Sequence, residues 1–144
     1  MVTEAPSVAT EILLLEKSPA EISLIKAATA NQNLSVVPEC PEILGFLRRQ
    51  GKYEHAPRPD LILLDLDLSR PEDCETLSGI KKDPAFRRIP VVVLASSEEA
   101  EDVFQAYDLY ANAYIQKPAE QEELIKIVRA TLHFWLALVR LPKE

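Results

Sequence analysis

Acidic and basic side chains stand at the ends of short apolar runs in this sequence. Asp65 closes the run that starts at Leu61, Glu16 and Lys17 follow an earlier run, and Lys117 follows the last one. A carboxylate can act as a nucleophile or hold a metal ion, and a lysine can stabilise the oxygens of a charged group. If the fold brings these run ends together, the set suits phosphoryl chemistry.

The apolar runs predict the strands of a parallel sheet. They are continuous rather than alternating in polarity, which indicates strands that are buried on both faces. In open sheets of this class the functional groups gather outside the carboxyl ends of the strands, where these charged residues fall. The predicted strands cover residues 11–16, 34–37, 61–64, 91–95 and 113–115.

Helical patterns fill the gaps between the runs. Ser18, Pro19 and Glu21 provide the serine cap, the first-turn proline and the capping-box glutamate of a helix start. Gly51 is well placed to end the second helix. Five strands alternating with five helices predict a doubly wound α/β fold. The predicted helices cover residues 18–31, 41–50, 74–82, 97–109 and 118–140.

Length and charge limit the kind of protein. The 144 residues predict one domain over 11–144 after a loose tail at 1–10, and the net charge of −7 argues against nucleic acid or an anionic membrane as partner. Without an export signal or a run of membrane-spanning length, we expect a cytoplasmic protein. Cys40 and Cys74 lack metal or redox spacing and are predicted to be reduced thiols.

Glycine is scarce where nucleotide sites need it. None of the three glycines lies in a predicted strand-to-helix turn. This removes the glycine-rich phosphate cradles of dinucleotide and nucleoside-triphosphate sites. A flavodoxin-like binder of small molecules is therefore disfavoured.

In combination, these segments resemble the receiver domain of response regulators in two-component signalling. A narrower likeness is to the small stand-alone regulators of phytochrome-type histidine kinases, mostly cyanobacterial. Residues 46–53 and 56–59 carry this second likeness, together with Phe134-Trp135-Leu136 and Leu141-Pro142. The general resemblance rests on residues 12–16, 59–68, 81–84, 88–94 and 111–118.

The resemblance implies a flavodoxin-like (βα)5 fold with an extended last helix, a signalling role rather than an enzymatic one, and a histidine kinase as partner. Asp65 matches the phosphoacceptor, Lys117 the phosphate-contacting lysine, and Tyr114 the aromatic switch residue. Glu16 and Asp65 would hold a metal ion with the backbone carbonyl at Asp67. The bond between Lys117 and Pro118 is typically cis in this family.

Several positions depart from the family pattern. Lys17 replaces the second metal-binding acid, and we expect it to pair with Asp65 and make Mg²⁺ binding weak. The alternative is that Lys17 points into solvent. Ala95 replaces the hydroxyl residue that binds the phosphoryl group, and Ser96 could substitute only after a register slip. Further departures are Ser69, Asp73 and Tyr110.

Two functional hypotheses stay open at this point. In the first, the chain is a degenerate receiver in which metal-dependent phosphorylation at Asp65 is impaired, and it acts through protein contacts. In the second, Asp65 is a working phosphoacceptor that receives phosphate from a phytochrome-type histidine kinase.

The last predicted helix indicates a homodimer. Residues 124, 127, 128, 131, 134 and 138 form one apolar stripe that should face the sheet, and residues 132, 135, 136 and 139 form a second. A helix on a sheet needs one apolar stripe, so the second suggests self-association, unless the tail folds back on its own domain. The predicted interface residues are Tyr107, Tyr110, Tyr114, Phe134, Trp135 and Val139.

Overall fold

The structure, a computed structural model, describes residues 10–139 and residue 141. Most of the predicted tail at 1–10 therefore lies outside the described residues. None of the helices within them is long and apolar enough to cross a membrane. The strands are β1 Glu11–Leu15, β2 Asn33–Val37, β3 Leu61–Asp65, β4 Val91–Ala95 and β5 Ala113–Gln116. The α-helices are α1 Pro19–Ala28, α2 Cys40–Leu47, α3 Pro71–Lys82, α4 Ala100–Asp108 and α5 Gln121–Leu132.

All five strands pair in parallel in the order β2-β1-β3-β4-β5. Consecutive positions of one strand enter opposite apolar clusters, so Leu13 packs on one face of the sheet and Leu14 on the other. The strands are therefore buried on both faces, as their continuous apolarity predicts. The doubly wound (βα)5 fold is confirmed.

The second helix ends earlier than predicted. It stops at Leu47, and Arg49 takes the left-handed conformation with φ of 55°. The amide of Arg49 donates to Phe46 O, and that of Gln50 donates to Gly45 O, which is the Schellman pattern of helix termination. Gly51, the predicted terminator, instead begins a short 3₁₀ turn.

The C-terminal helix changes its winding after α5. A π-helical segment covers His133–Leu138, and the Val139 amide donates to Phe134 O, five residues back. Because a π-turn holds more residues than an α-turn, it rotates the following side chains. Phe134 and Leu138 are therefore exposed, whereas Trp135 packs against the core beside α5. The prediction that positions 134 and 138 face the sheet is wrong.

Candidate functional site

Three carboxyl groups meet at the carboxyl end of the sheet. Asp65 ends β3, and Glu16 follows β1 beside it, because Leu15 and Leu64 are register partners in these adjacent strands. Glu21 reaches the same place from the first turn of α1. One oxygen from each of the three residues lies within 4.8 Å of the others. The convergence of Asp65 and Glu16 was expected from the sequence, and that of Glu21 was not.

Glu16 is the most buried member of this carboxylate cluster, with 4% of its surface exposed. Its Oε2 accepts hydrogen bonds from the amides of Lys17 at 2.9 Å and Ser18 at 3.2 Å. Its Oε1 is buried without a hydrogen-bond partner among the described residues. Burial, together with the neighbouring Asp65 and Glu21, raises the pKa of Glu16 to about 8, against the opposing effect of the Ser18 amide. Glu16 therefore holds a proton at neutral pH.

Lys117 joins two members of the carboxylate cluster. Its Nζ lies 2.8 Å from Asp65 Oδ2 and 3.2 Å from Glu21 Oε2, and its side chain is 10% exposed. Burial acts to lower the pKa of Lys117, but the contacts with both carboxylates outweigh it and raise the pKa above its usual value. Lys117 is therefore a fixed cation directly beside the phosphoacceptor position.

The peptide bond between Lys117 and Pro118 is trans, since no peptide bond among the described residues is cis. The expectation of a cis bond at this place is therefore not met. The trans form of a bond before proline is favoured by only about 0.5–1 kcal/mol, so local sequence alone does not fix the isomer.

Lys17 does not pair with Asp65. Its Nζ lies 3.4 Å from Glu39 Oε1, and 71% of the Lys17 side chain is exposed. Its backbone amide donates to Glu16 Oε2 at the start of the turn, and its long side chain carries the ammonium away from Asp65 into solvent. The prediction that Lys17 neutralises Asp65 is wrong, and the solvated alternative describes its position.

The charge count at the site changes accordingly. Glu21 adds a third carboxyl group, and Lys117 is the one cation that pairs with the cluster among the described residues. With Glu16 protonated at neutral pH, the formal charge of the cluster and this lysine is 1 − 2 = −1, and release of that proton to an arriving cation makes it 1 − 3 = −2. The cluster therefore has the charge to attract a cation.

Ala95 lies at the end of β4 and is 2% exposed. The following serines do not supply a hydroxyl toward Asp65: Ser96 is exposed, and Ser97 Oγ accepts a hydrogen bond from the Glu99 amide. The hydroxyl of Tyr114 donates to the Ser97 carbonyl at 2.7 Å. The predicted switch residue is thus held by backbone and has no hydroxyl partner at position 95.

Asp67 and Asp73 fix the loop after Asp65. The Asp67 carboxylate accepts from the amide and hydroxyl of Ser69, so it stays outside the carboxylate cluster. Asp73 is buried, and its Oδ2 accepts from the Asp67 amide at 2.8 Å. A cleft of about 640 Å³ opens here, with Glu16, Lys17, Asp65 and Asp67 in its wall.

The predicted interface residues fall into two groups. Tyr110, Tyr107 and Phe134 are 70%, 49% and 50% exposed, and Phe104, missed in the sequence, is 70% exposed. Tyr114 and Trp135 instead pack partly against the core, and Val139 is half-buried. The signal for Phe104 was its spacing of three residues from Tyr107 on α4, which places both on one helix face.

The sheet order, the carboxylate that ends β3 and the lysine that follows β5 define a receiver domain of two-component signalling. The chain belongs to the response regulator receiver domain family, whose family model matches residues 12–129. It is 41% identical over 135 residues to the response regulator Rcp1 of Synechocystis sp., covering 91% of this chain and 92% of Rcp1.

Two solved structures extend this similarity. The phosphorylated cyanobacterial phytochrome response regulator RcpA is 41% identical with a TM-score of 0.87, over 94% of this chain and 100% of that one. The Mn²⁺-bound form of Rcp1 is 38% identical with a TM-score of 0.85, over 93% of this chain and 99% of that one. Sequence and structure therefore show the receiver fold and a similarity to cyanobacterial phytochrome response regulators.

The carboxylate cluster fits the divalent cation that receiver domains use. Glu16 and Asp65 provide hard oxygen ligands of the type that Mg²⁺ and Mn²⁺ prefer. The buried Glu16 Oε1 is an acceptor without a hydrogen-bond partner among the described residues. When bound, the cation would offset negative charge on the oxygens of an incoming phosphoryl group.

Proposed function

We propose that this chain is a stand-alone receiver that accepts a phosphoryl group on Asp65 from a histidine kinase. The observation that carries the proposal is the 2.8 Å contact between Lys117 Nζ and Asp65 Oδ2 at a partly open strand end. The Asp65 side chain is 23% exposed, so a phosphoryl donor can reach it. Relatives solved in a phosphorylated form and with Mn²⁺ bound support the same assignment.

The transfer is a substitution at phosphorus. A carboxylate oxygen of Asp65 forms the new O–P bond, and the N–P bond of a kinase phosphohistidine breaks. The imidazole leaves with that electron pair and takes a proton from water. Lys117 is fixed where it can stabilise the phosphoryl oxygens as their charge builds, which is the main contribution that a protein makes to such a transfer.

We propose further that this phosphorylation is slow, and that the cause is Ala95 rather than Lys17. A buried alanine at the end of β4 offers no hydroxyl to the phosphoryl oxygens. The loss of one well-placed hydrogen-bond donor to a developing oxyanion slows a reaction by about 10²–10³-fold in other enzymes. Lys17 carries no part of this effect because its ammonium lies on Glu39.

The partner we propose is a phytochrome-type kinase, supported by the 41% identity to the phytochrome response regulator RcpA. We propose that the signalling output of this receiver consists of protein contacts, in particular self-association. Phe134 and Leu138 expose 50% and 67% of their surfaces on the π-helical segment, and an exposed apolar group of this kind favours burial in an interface. A second copy of the chain is the proposed occupant.

The experiment is incubation with a small acyl-phosphate donor and Mg²⁺, followed by intact mass spectrometry. We expect one phosphoryl adduct in the wild type and none in Asp65→Asn. Asp60→Asn is the matched control, because Asp60 lies beside the opposite end of β3, where its carboxylate accepts from the Glu11 amide. A wild type without an adduct, or an adduct that persists in Asp65→Asn, would overturn the proposal.

A further inference from the structure

We infer that Glu21 is a ligand of the divalent cation at this site and replaces the acid that is missing at position 17. The inference rests on the proposed phosphoacceptor site, and it assigns a role to a residue of α1 that lies outside the strand ends. The inference explains how the site can bind a metal ion although Lys17 stands where the family has its second metal-binding acid.

Glu21 is placed for this role by the way α1 begins. Ser18 caps the helix by accepting the Glu21 amide on Oγ at 3.3 Å, and Pro19 is the first helical residue. In a complete capping box the Glu21 carboxylate would return to the Ser18 amide. Here Glu16 Oε2 takes that amide at 3.2 Å. The Glu21 side chain is thus released from capping and turns to Lys117 and the carboxylate cluster.

A second observation points to a ligand within the cluster. Glu16 is 4% exposed, and its Oε1 is buried with no hydrogen-bond partner among the described residues. One carboxyl oxygen each of Asp65 and Glu21 lies within 4.8 Å of a Glu16 carboxyl oxygen, and neither group can donate when ionised. In ionised Glu16 this buried oxygen is an unsatisfied acceptor, which is costly, and a hard cation that takes the place of the Glu16 proton would satisfy it together with both neighbours.

Three other acidic side chains in the wall of the cleft already have partners. The Asp67 carboxylate is bound to the amide and hydroxyl of Ser69, and Asp73 holds the Asp67 amide. Glu39 pairs with Lys17. Glu21 also pairs with Lys117, but its carboxyl oxygen lies within 4.8 Å of both Glu16 and Asp65, so it can add a third carboxylate to the site.

The test is direct binding of Mn²⁺ alone, which is measured as the loss of the free-ion signal in electron paramagnetic resonance. We expect the wild type to bind one ion, and Glu21→Gln to bind it about tenfold or more weakly, because one charge at the site is lost. Glutamine keeps an oxygen that can accept from Lys117, so the variant retains that contact. Glu123→Gln is the matched control, since Glu123 is also the third residue of its helix, in α5.

A rescue variant separates ligation from general destabilisation. Lys17 lines the same cleft as Asp65, so Lys17→Asp in the Glu21→Gln background returns an acid to the site and should recover Mn²⁺ binding. Binding by Glu21→Gln at the wild-type level would overturn the inference. So would Mn²⁺ binding that survives in Asp65→Asn, because the ion would then lie elsewhere.

The two proposals fail in different ways. Normal Mn²⁺ binding that depends on Glu21, without a phosphoryl adduct, would refute the phosphoacceptor and leave the ligand assignment in place. A phosphoryl adduct on Asp65, with Mn²⁺ binding that is unchanged in Glu21→Gln, would refute the ligand assignment and leave the phosphoacceptor in place.

Discussion

Lys117 reaches Asp65 across the end of the strand that separates them. Its Nζ lies 2.8 Å from Asp65 Oδ2, and β4 stands between β3 and β5 in the sheet. The backbone amide of Lys117 is anchored on the Ala95 carbonyl at 2.7 Å, so the lysine starts its crossing at the last residue of β4. Position 95 therefore lies next to both partners, and its side chain decides what a phosphoryl group there would meet.

Restoring the hydroxyl at position 95 tests this directly. We expect Ala95→Thr to form the phosphoryl adduct at least about tenfold faster than the wild type, since a donor to the phosphoryl oxygens is regained. The measurement is the time course of adduct mass with an acyl-phosphate donor and Mg²⁺. Ala95→Val has the same shape without the hydroxyl, and an equal gain in that variant would contradict the explanation.

Replacing Lys17 should have little effect. Its ion pair with Glu39 is exposed on both sides, and such pairs contribute about 0–1 kcal/mol. We expect Lys17→Ala to leave the free energy of unfolding in urea nearly unchanged. We also expect Mg²⁺ binding, measured by calorimetry, to stay near the wild-type level. A marked gain in Mg²⁺ affinity would revive the pairing of Lys17 with Asp65.

The proton on Glu16 should make stability depend on pH. Burial raises its pKa from 4.5 to about 8, so between these values the folded chain holds a proton that the unfolded chain has released. Stability should therefore fall as pH rises through this window, by up to about 1.4 kcal/mol per pH unit from this group. Burial lowers the pKa of Lys81 to about 8, so Lys81 affects the pH dependence of stability only above this window.

Urea unfolding at both ends of that window provides the measurement. Glu16→Gln, which stays neutral, should remove this part of the pH dependence. Glu123→Gln, an exposed acid on α5, should keep it. An identical pH profile in the wild type and Glu16→Gln would contradict the raised pKa.

The end of α4 offers a stabilising substitution. Tyr110 has φ of 69°, and the Ala111 amide donates to Ala106 O in a Schellman pattern that favours glycine at this position. Because Tyr110 is 70% exposed, Tyr110→Gly loses little burial and should raise the free energy of unfolding by up to about 1 kcal/mol. Asp108→Gly, inside the same helix, should lower it. A destabilised Tyr110→Gly would show that its ring makes contacts that outweigh the backbone strain.

The π-helical segment gives the test for self-association. We expect Phe134→Glu to yield monomers in sedimentation velocity, because a charge would replace a half-exposed ring. Trp135 is unsuited to this test, since it packs against the core and its loss would disturb folding. His133→Glu, on the exposed neighbour, is the control. A wild type that sediments as a monomer would contradict the homodimer.

The sequence predicted the fold and the strand-end residues because continuous apolar runs and their polar ends are local signals. The direction of the Lys17 side chain could not be predicted from the local sequence, because a long side chain can leave a strand end on either side. Glu21 was overlooked because the capping box already accounted for a glutamate there. The outward turn of Phe134 could not be predicted from an α-helical repeat, because the winding changes after Leu132.

The bond from the Tyr114 hydroxyl to the Ser97 carbonyl has a thermodynamic consequence for signalling. A bound group shifts a conformational equilibrium only by the difference in its affinity for the two states. With alanine at 95, a phosphoryl group on Asp65 gains no side-chain contact there that would depend on where Tyr114 lies. A protein that competes for the Ser97 carbonyl would, in contrast, act on the Tyr114 ring directly.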